Sequence, residues 1–291
     1  MRALVFGETG QVARELARTA PARGIAARFL SRGAADLADP ETCVRAIETA
    51  DADIVVNAAA YTAVDRAEDE PDLARTVNAT APGAMAVAAA AKGLPFLHVS
   101  TDYVFDGAPG SAWREADPTG PLGAYGATKL AGEEAVAGAT PDHVILRTAW
   151  VFSAHGANFV KTMLRVGAGK PEMRVVGDQS GGPTAARDIA GALWTIAEAW
   201  SAGRGAAGIF HYAGSPSCTW ADFADAIFAR AGWPERPTVT RIATADWPTK
   251  AARPANSVLD CTKIAATYGI VQPDWRAGLD AVIAELAEER A

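Results

Sequence analysis

Short apolar runs alternate with stretches of helical spacing along the first half of the chain. ALVF (3–6) is apolar throughout and stops at Gly7, the pattern of a strand buried on both faces. Gln11 to Thr19 follows, with Val12 and Leu16 four positions apart on one helical face. The alternation then repeats. IAARFL (25–30), DIVVNAAA (53–60), PFLHVS (95–100) and HVILRTAW (143–150) predict four more strands. Helices are predicted between them from Pro40 to about Ala50, from Pro71 as far as Lys92, and from Ala124 to Ala137, with proline suited to a first turn. Apolar strands alternating with helices predict an α/β fold: a Rossmann-like, doubly wound parallel sheet covered on both faces.

Beyond residue 150 the pattern is less regular. Helices are expected over 158–166, 187–200, 220–230 and 275–289, with short strands near 174–176 and 208–212. No repeat or low-complexity linker divides the chain. The expected organisation is a dinucleotide-binding unit over 1–150, completed by parts of 185–213. A smaller α/β lobe over 151–291 would be mainly substrate-binding and pack tightly on the first unit across a cleft.

Composition narrows the function classes. The chain has 291 residues, 49% hydrophobic and 21% charged, which suits a globular protein with a sizeable core. A net charge of −7 without a Lys/Arg block gives nucleic-acid binding no electrostatic support. The Ala-rich run 84–91 is too short for a membrane span of roughly 18 residues. Cys43, Cys218 and Cys261 are odd in number and widely spaced, so free thiols in a reducing compartment are expected rather than a disulfide framework. With no secretory segment ahead of the first strand, a cytoplasmic location is expected. His98, His143, His155 and His211 are scattered without metal-ligand spacing.

Two constellations carry chemistry. In FGETGQVA the residues Gly7, Thr9, Gly10, Gln11 and Val12 join a strand to a helix, where a dinucleotide pyrophosphate can sit on helix N-terminal amides. Strand two ends in Ser31 and Arg32 rather than an acidic residue. A hydroxyl and a guanidinium suit a ribose 2′-phosphate and favour NADPH, with NADH left open. Asp36 and Leu37 follow at the adenosine half, and Val99 belongs to the expected cofactor wall. Ala58, Ala59, Ala60 and Tyr61 end strand three with small side chains, over which a flat cofactor could lie; tight packing on a helix explains them equally well. In YGATK, Tyr125 and Lys129 lie one helical turn apart on one face. A cationic lysine there would favour the phenolate and bring Tyr125 toward proton exchange near neutral pH. Thr101 closes strand four and completes a Thr/Tyr/Lys set, pointing to hydride transfer with a tyrosine acid/base.

With STDYVFDG (100–107), YGATKLAGE, ILRTAWVF, NFVKTML, GDQSGGPT and RPANSVLD, the chain resembles the extended short-chain dehydrogenase/reductases along nearly its whole length, and more narrowly the dTDP-4-dehydrorhamnose reductase family. The resemblance implies NAD(P)H-dependent reduction of a nucleotide-activated 4-keto sugar. Tyr125 would give a proton to the C4 carbonyl oxygen, Lys129 would hold the nicotinamide ribose, and Thr101 would hydrogen-bond the same substrate oxygen. Thr101, Asp102 and Trp150 would touch the sugar; Asn158, Lys161, Arg253 and Asn256 are candidates toward the nucleotide and diphosphate. Ala13 replaces the third glycine of the usual fingerprint, a mild change. Some family members join subunits through Mg²⁺ held by glutamates. Glu15 fits one such position but Arg187 stands at another, so no metal site is predicted and a need for Mg²⁺ stays open. Oligomeric state is likewise open, a homodimer included. Two alternatives remain: a non-catalytic NADP-binding regulatory subunit like the beta subunit of methionine adenosyltransferase, and an NAD-dependent nucleotide-sugar epimerase or dehydratase. Against the last, Tyr103 stands where dehydratases usually carry a glutamate.

Overall fold

Six parallel strands form the central sheet of the computed structural model, which describes residues 1–288. Glu289, at the predicted end of the last helix, lies outside the described residues. The first half runs β1 (Arg2–Phe6), α1 (Gln11–Thr19), β2 (Ala26–Leu30), α2 (Pro40–Thr49), β3 (Ile54–Asn57), α3 (Val64–Ala67), α4 (Pro71–Arg75), α5 (Ala81–Ala91), β4 (Phe96–Thr101), α6 (Ala124–Ala139) and β5 (His143–Thr148). The rest runs β6 (Val151–Phe152), α7 (Phe159–Gly167), β7 (Glu172–Val176), β8 (Ser180–Gly181), β9 (Thr184–Ala185), α8 (Ala186–Ser201), β10 (Gly208–His211), β11 (Cys218–Thr219), α9 (Trp220–Arg230), β12 (Thr238–Ile242), β13 (Asn256–Ser257), α10 (Thr262–Tyr268) and α11 (Trp275–Glu288).

The sheet order is β10-β5-β4-β3-β1-β2. The chain therefore reverses direction across the sheet between β1 and β3, the switch point where α/β proteins bind ligands. Val12 and Leu16 of α1 pack with Ile189, Leu193 and Trp194 of α8 on one face. Cys43 and Ile47 of α2, Met85 of α5 and Val136 of α6 cover the other. A third cluster, with Val160, Phe223, Ile227 and Leu279, is a separate core drawn from residues 152–286. There β12 pairs with β7 in parallel. The half-exposed β12 and the seven-residue α10 were not legible as elements, since neither buries a long apolar run.

The helix expected in one piece over 71–92 is broken by a π-helical turn at Thr76–Thr80. Pro82 has no N–H for the Asn78 carbonyl four residues back, so the α ladder cannot run straight through. The wide turn presents Asn78, whose Oδ1 accepts from the Tyr61 N–H at 2.8 Å and whose Nδ2 donates to Thr128 Oγ1 at 3.1 Å. One amide thus ties the loop after β3 to α6.

Beneath α6 lies a buried ion pair. Arg147 donates to Glu133 through Nη2 at 2.6 Å and Nε at 2.9 Å, and Ser100 Oγ donates to the same carboxylate at 2.5 Å. Both charged side chains are 2% exposed. Truncating one partner strands the other charge in the core, at a cost of about 3–5 kcal/mol. Urea denaturation of Glu133→Ala should show that loss; a change below about 1 kcal/mol, as for an exposed pair, would contradict the burial argument.

Candidate active site

Gly7 holds φ +110°, and a Cβ there would meet the Ala13 Cβ at 3.4 Å and the Ala58 backbone at 3.5 Å. Those contacts would be ordinary; the positive φ is what reserves the turn between β1 and α1 for glycine. Gly10 caps α1 with no side-chain hydrogen bond and nothing within 4 Å of where a Cβ would stand. The first amides of this nine-residue helix have no intrahelical partner, and the bare backbone before them fits a dinucleotide pyrophosphate. Thr9 is exposed at the same turn and Val12 is buried behind it. Ser31 and Arg32 follow β2, Arg32 exposed and without an ion-pair partner among the described residues. The Asp36 carboxylate accepts from the Ala38 N–H at 2.9 Å, and the Leu37 side chain turns into the core. Ala58, Ala59, Ala60 and Tyr61 are half-buried, and the Tyr61 hydroxyl donates to Glu70 at 2.6 Å.

Thr101 ends β4 and caps the 3-10 turn Asp102–Val104, accepting from the Tyr103 N–H at 3.2 Å. A Cβ on Gly126 would stand 2.2 Å from the Tyr103 carbonyl oxygen, so glycine alone permits α6 to press against this turn. That approach sets the Tyr125 ring edge-on to Tyr103, centroids 5.5 Å apart, with the phenol facing Thr101. Burial pushes the Tyr125 phenol up to about 12, partly offset by the Thr101 hydroxyl. Lys129, 1% exposed, is pushed down to about 8 by burial, opposed by Glu133. Its Nζ donates to the Val99 carbonyl at 2.7 Å and lies 3.2 Å from His98 Nε2. The lysine-assisted phenolate expected from the spacing is therefore corrected. Desolvation dominates at both groups, raising the phenol and lowering the ammonium, and Tyr125 holds its proton.

Asp102 is buried beside them. Its Oδ1 accepts from Thr101 Oγ1 at 3.0 Å, while Oδ2 has no partner and Ser257 approaches outside hydrogen-bond geometry. Burial raises this carboxyl to about 6.

Residues expected toward the substrate separate into two groups. Trp150 stands after β5 with φ +48°, uncommon for a bulky residue, and stacks on Trp220 with centroids 3.5 Å apart and planes within 9°. Arg253 donates to Asp65 at 2.6 Å and lies close enough to Tyr103 to act on its phenol. Asn158, in contrast, caps α7 and spends its amide on Gln11 Oε1 at 2.9 Å and the Ser153 carbonyl at 2.8 Å. The Gln11 side chain consequently faces α7, which leaves its backbone N–H for a cofactor. Lys161 Nζ donates to the Ala154 carbonyl at 2.7 Å. Buried Asn256 bonds the Ser111 carbonyl and the Val258 N–H. In this arrangement the polar heads of Asn158, Lys161 and Asn256 are engaged by neighbouring loops, where they satisfy backbone groups. Glu15 is buried and engaged by Arg18 at 2.6 Å and by His155 at 3.1 Å. Among the described residues, no group of three or more His, Cys, Asp or Glu could hold a metal ion, and no helix is long and apolar enough to cross a membrane.

The family model described as the RmlD substrate binding domain matches residues 1–288. The chain belongs to this family. A dTDP-4-dehydrorhamnose reductase of Burkholderia thailandensis is 44% identical over 99% of this chain and 100% of its own length. Two crystal structures of family members superpose over nearly the whole fold. One, a dTDP-4-dehydrorhamnose reductase of Clostridium acetobutylicum, has TM-score 0.92 and 34% identity, covering 99% of this chain and 100% of that one. The other, from Bacillus anthracis and in complex with NADP, has TM-score 0.90 and 31% identity, covering 98% and 99%.

Trp220, Asn57 and His98 were not singled out from sequence, whereas Ser257 stood in the RPANSVLD motif as a candidate toward the nucleotide. Trp220 sits at a helix start far from Trp150 in the chain, and only the αL turn at Trp150 brings the rings together. Asn57 stands in the quoted NAAAY segment and His98 in the strand-four run, so both lay in view without a spacing that joined them.

The Asp102 carboxyl has a pH consequence for stability. Its folded pKa is about 6, against about 3.9 for an unfolded aspartate. Between these values the unfolded chain binds fewer protons, so this contribution is complete below about pH 4 and lost as pH rises through about 6. Asp102→Asn removes that loss. Its melting temperature relative to the parent should climb as pH goes from about 5 to about 8; a pH-independent difference would contradict an ionisable buried carboxyl.

Proposed function

We infer that the protein reduces the C4 keto group of dTDP-4-dehydro-L-rhamnose to the hydroxyl of dTDP-L-rhamnose, with NADPH as reductant. The end-to-end likeness to the Burkholderia thailandensis reductase carries this reading. The NADP held by the Bacillus anthracis relative supports the cofactor, as does an exposed Arg32 suited to a 2′-phosphate.

Reduction adds a hydride to C4 and a proton to O4. When bound, NADPH supplies the hydride. Tyr125 supplies the proton, since a phenol held at about 12 is fully protonated at neutral pH. The Thr101 hydroxyl, which donates to Asp102 in the absence of substrate, would turn its one proton to the same oxygen as alkoxide charge grows. Lys129 would hold the nicotinamide ribose. The unpartnered Oδ2 of Asp102 takes a sugar hydroxyl, and the Trp150–Trp220 stack gives the sugar a flat apolar wall. Arg253, held by Asp65, serves the nucleotide side.

Consumption of NADPH with enzymatically generated dTDP-4-dehydro-L-rhamnose tests the assignment. Tyr125→Phe should cut turnover by about 10²–10⁴-fold while leaving NADPH binding, read by fluorescence, within about twofold. Undiminished turnover would remove the proton donor. Arg32→Ala should weaken NADPH by about tenfold, or 1.4 kcal/mol, and NADH far less; equal weakening of both would refute the 2′-phosphate contact.

A further inference from the structure

Three buried polar side chains run in line under α6. Asn57 Nδ2 lies 3.1 Å from His98 Nδ1, and His98 Nε2 lies 3.2 Å from Lys129 Nζ. All three residues are at most 1% exposed. The proton positions follow from the ends of the line. The Ala59 N–H can only donate, so the Asn57 atom facing it at 3.1 Å is Oδ1, and the atom facing His98 is the amide nitrogen, also a donor. His98 Nδ1 must therefore be bare. Burial holds the imidazole neutral, so its one proton is on Nε2 and points at Lys129. A hydrogen bond along that line needs a lone pair on Nζ, which the ammonium lacks. The uncharged amine keeps an N–H for the Val99 carbonyl at 2.7 Å.

We propose that His98, fixed as the Nε2–H tautomer by Asn57, donates a hydrogen bond to Lys129 when that amine is uncharged, offers its ammonium no acceptor, and so weakens the proton affinity of this lysine. His98 touches neither substrate nor cofactor and is a positioning residue. The charged or titratable groups around it are few. On α6 they are Tyr125, Lys129 and Glu133; on β5, Arg147, which Glu133 neutralises at 2.6 Å. β3 and residues 76–91 contribute none. Phe96 stacks near the imidazole, centroids 6.3 Å apart. The low proton affinity of Lys129 thus has a directional cause besides burial. The proposal deepens the role given to Lys129 above but needs no particular sugar.

The test is NMR of the cofactor-free full chain, labelled with ¹⁵N-histidine and ¹³C,¹⁵N-lysine. With four histidines to distinguish, the His98 signals are tractable. His98 should show the Nε2–H tautomer without titrating between about pH 6 and 9, and one buried lysine should titrate at or below about 8. His98→Gln replaces the N–H donor by an amide whose oxygen can accept from an ammonium. That lysine should then titrate at least about one unit higher, a tenfold gain in proton affinity, and the Lys129 limb of the kcat/KM–pH profile should move with it. An Nδ1–H tautomer, a cationic His98, or an unshifted lysine in His98→Gln would each overturn the proposal. The parent tautomer decides the matter even where the variant does not fold. These signals are read without substrate, so failure of the sugar assignment would leave them intact, and the reverse.

Discussion

The approach of α6 to the turn after β4 governs the site. With a Cβ at Gly126 only 2.2 Å from the Tyr103 oxygen, any side chain there would force the helix outward. Held at this distance, α6 brings Tyr125 to Thr101 and lays Lys129 and Glu133 along the sheet beneath. The same approach dries the site. Desolvation then decides the chemistry: it raises the phenol, lowers the ammonium and raises the Asp102 carboxyl. Each of these groups is pushed toward its uncharged form, suited to give or exchange a proton rather than to form fixed ion pairs.

Such a polar interior needs compensation. On the α6 side of the sheet, Ser100, Glu133 and Arg147 form a saturated cluster, with Arg147 also reaching His211 at 3.4 Å and lying over the Phe105 ring. This cluster contributes little net stability compared with an apolar core, but its loss in part is expensive. It fixes the register of α6 against β4 and β5, and so the position of the reacting groups. Asn78 does the same from the other flank, because the π turn imposed by Pro82 lets its amide reach both the loop after β3 and Thr128.

Much of this was legible in the sequence. The strands of the sheet are dense apolar runs, the Gly7 turn falls between strand and helix, and YGATK has a helical spacing that needs no tertiary information. The pKa direction of Tyr125 is not legible there, because a four-residue spacing shows a shared helix face with Lys129 but not the removal of water from both groups. The break at Thr76–Thr80 was missed because the run is otherwise helix-forming, though Pro82 marks it. The substrate side was harder. Asn158, Lys161 and Asn256 are polar residues in family motifs, and only their hydrogen bonds reveal that they hold loops together. The pairing of Trp150 with Trp220 rests on a backbone conformation that a bulky residue seldom adopts.

The central claim is that the site over β1, β3 and β4 delivers hydride to C4 of a nucleotide-linked 4-keto sugar while Tyr125 protonates O4. The most direct measurement is a mass and NMR analysis of the product formed from dTDP-4-dehydro-L-rhamnose with NADPH deuterated at the transferable position. The account predicts dTDP-L-rhamnose with one deuterium, at C4. Product without deuterium at C4, or no product from protein that binds NADPH, would contradict it.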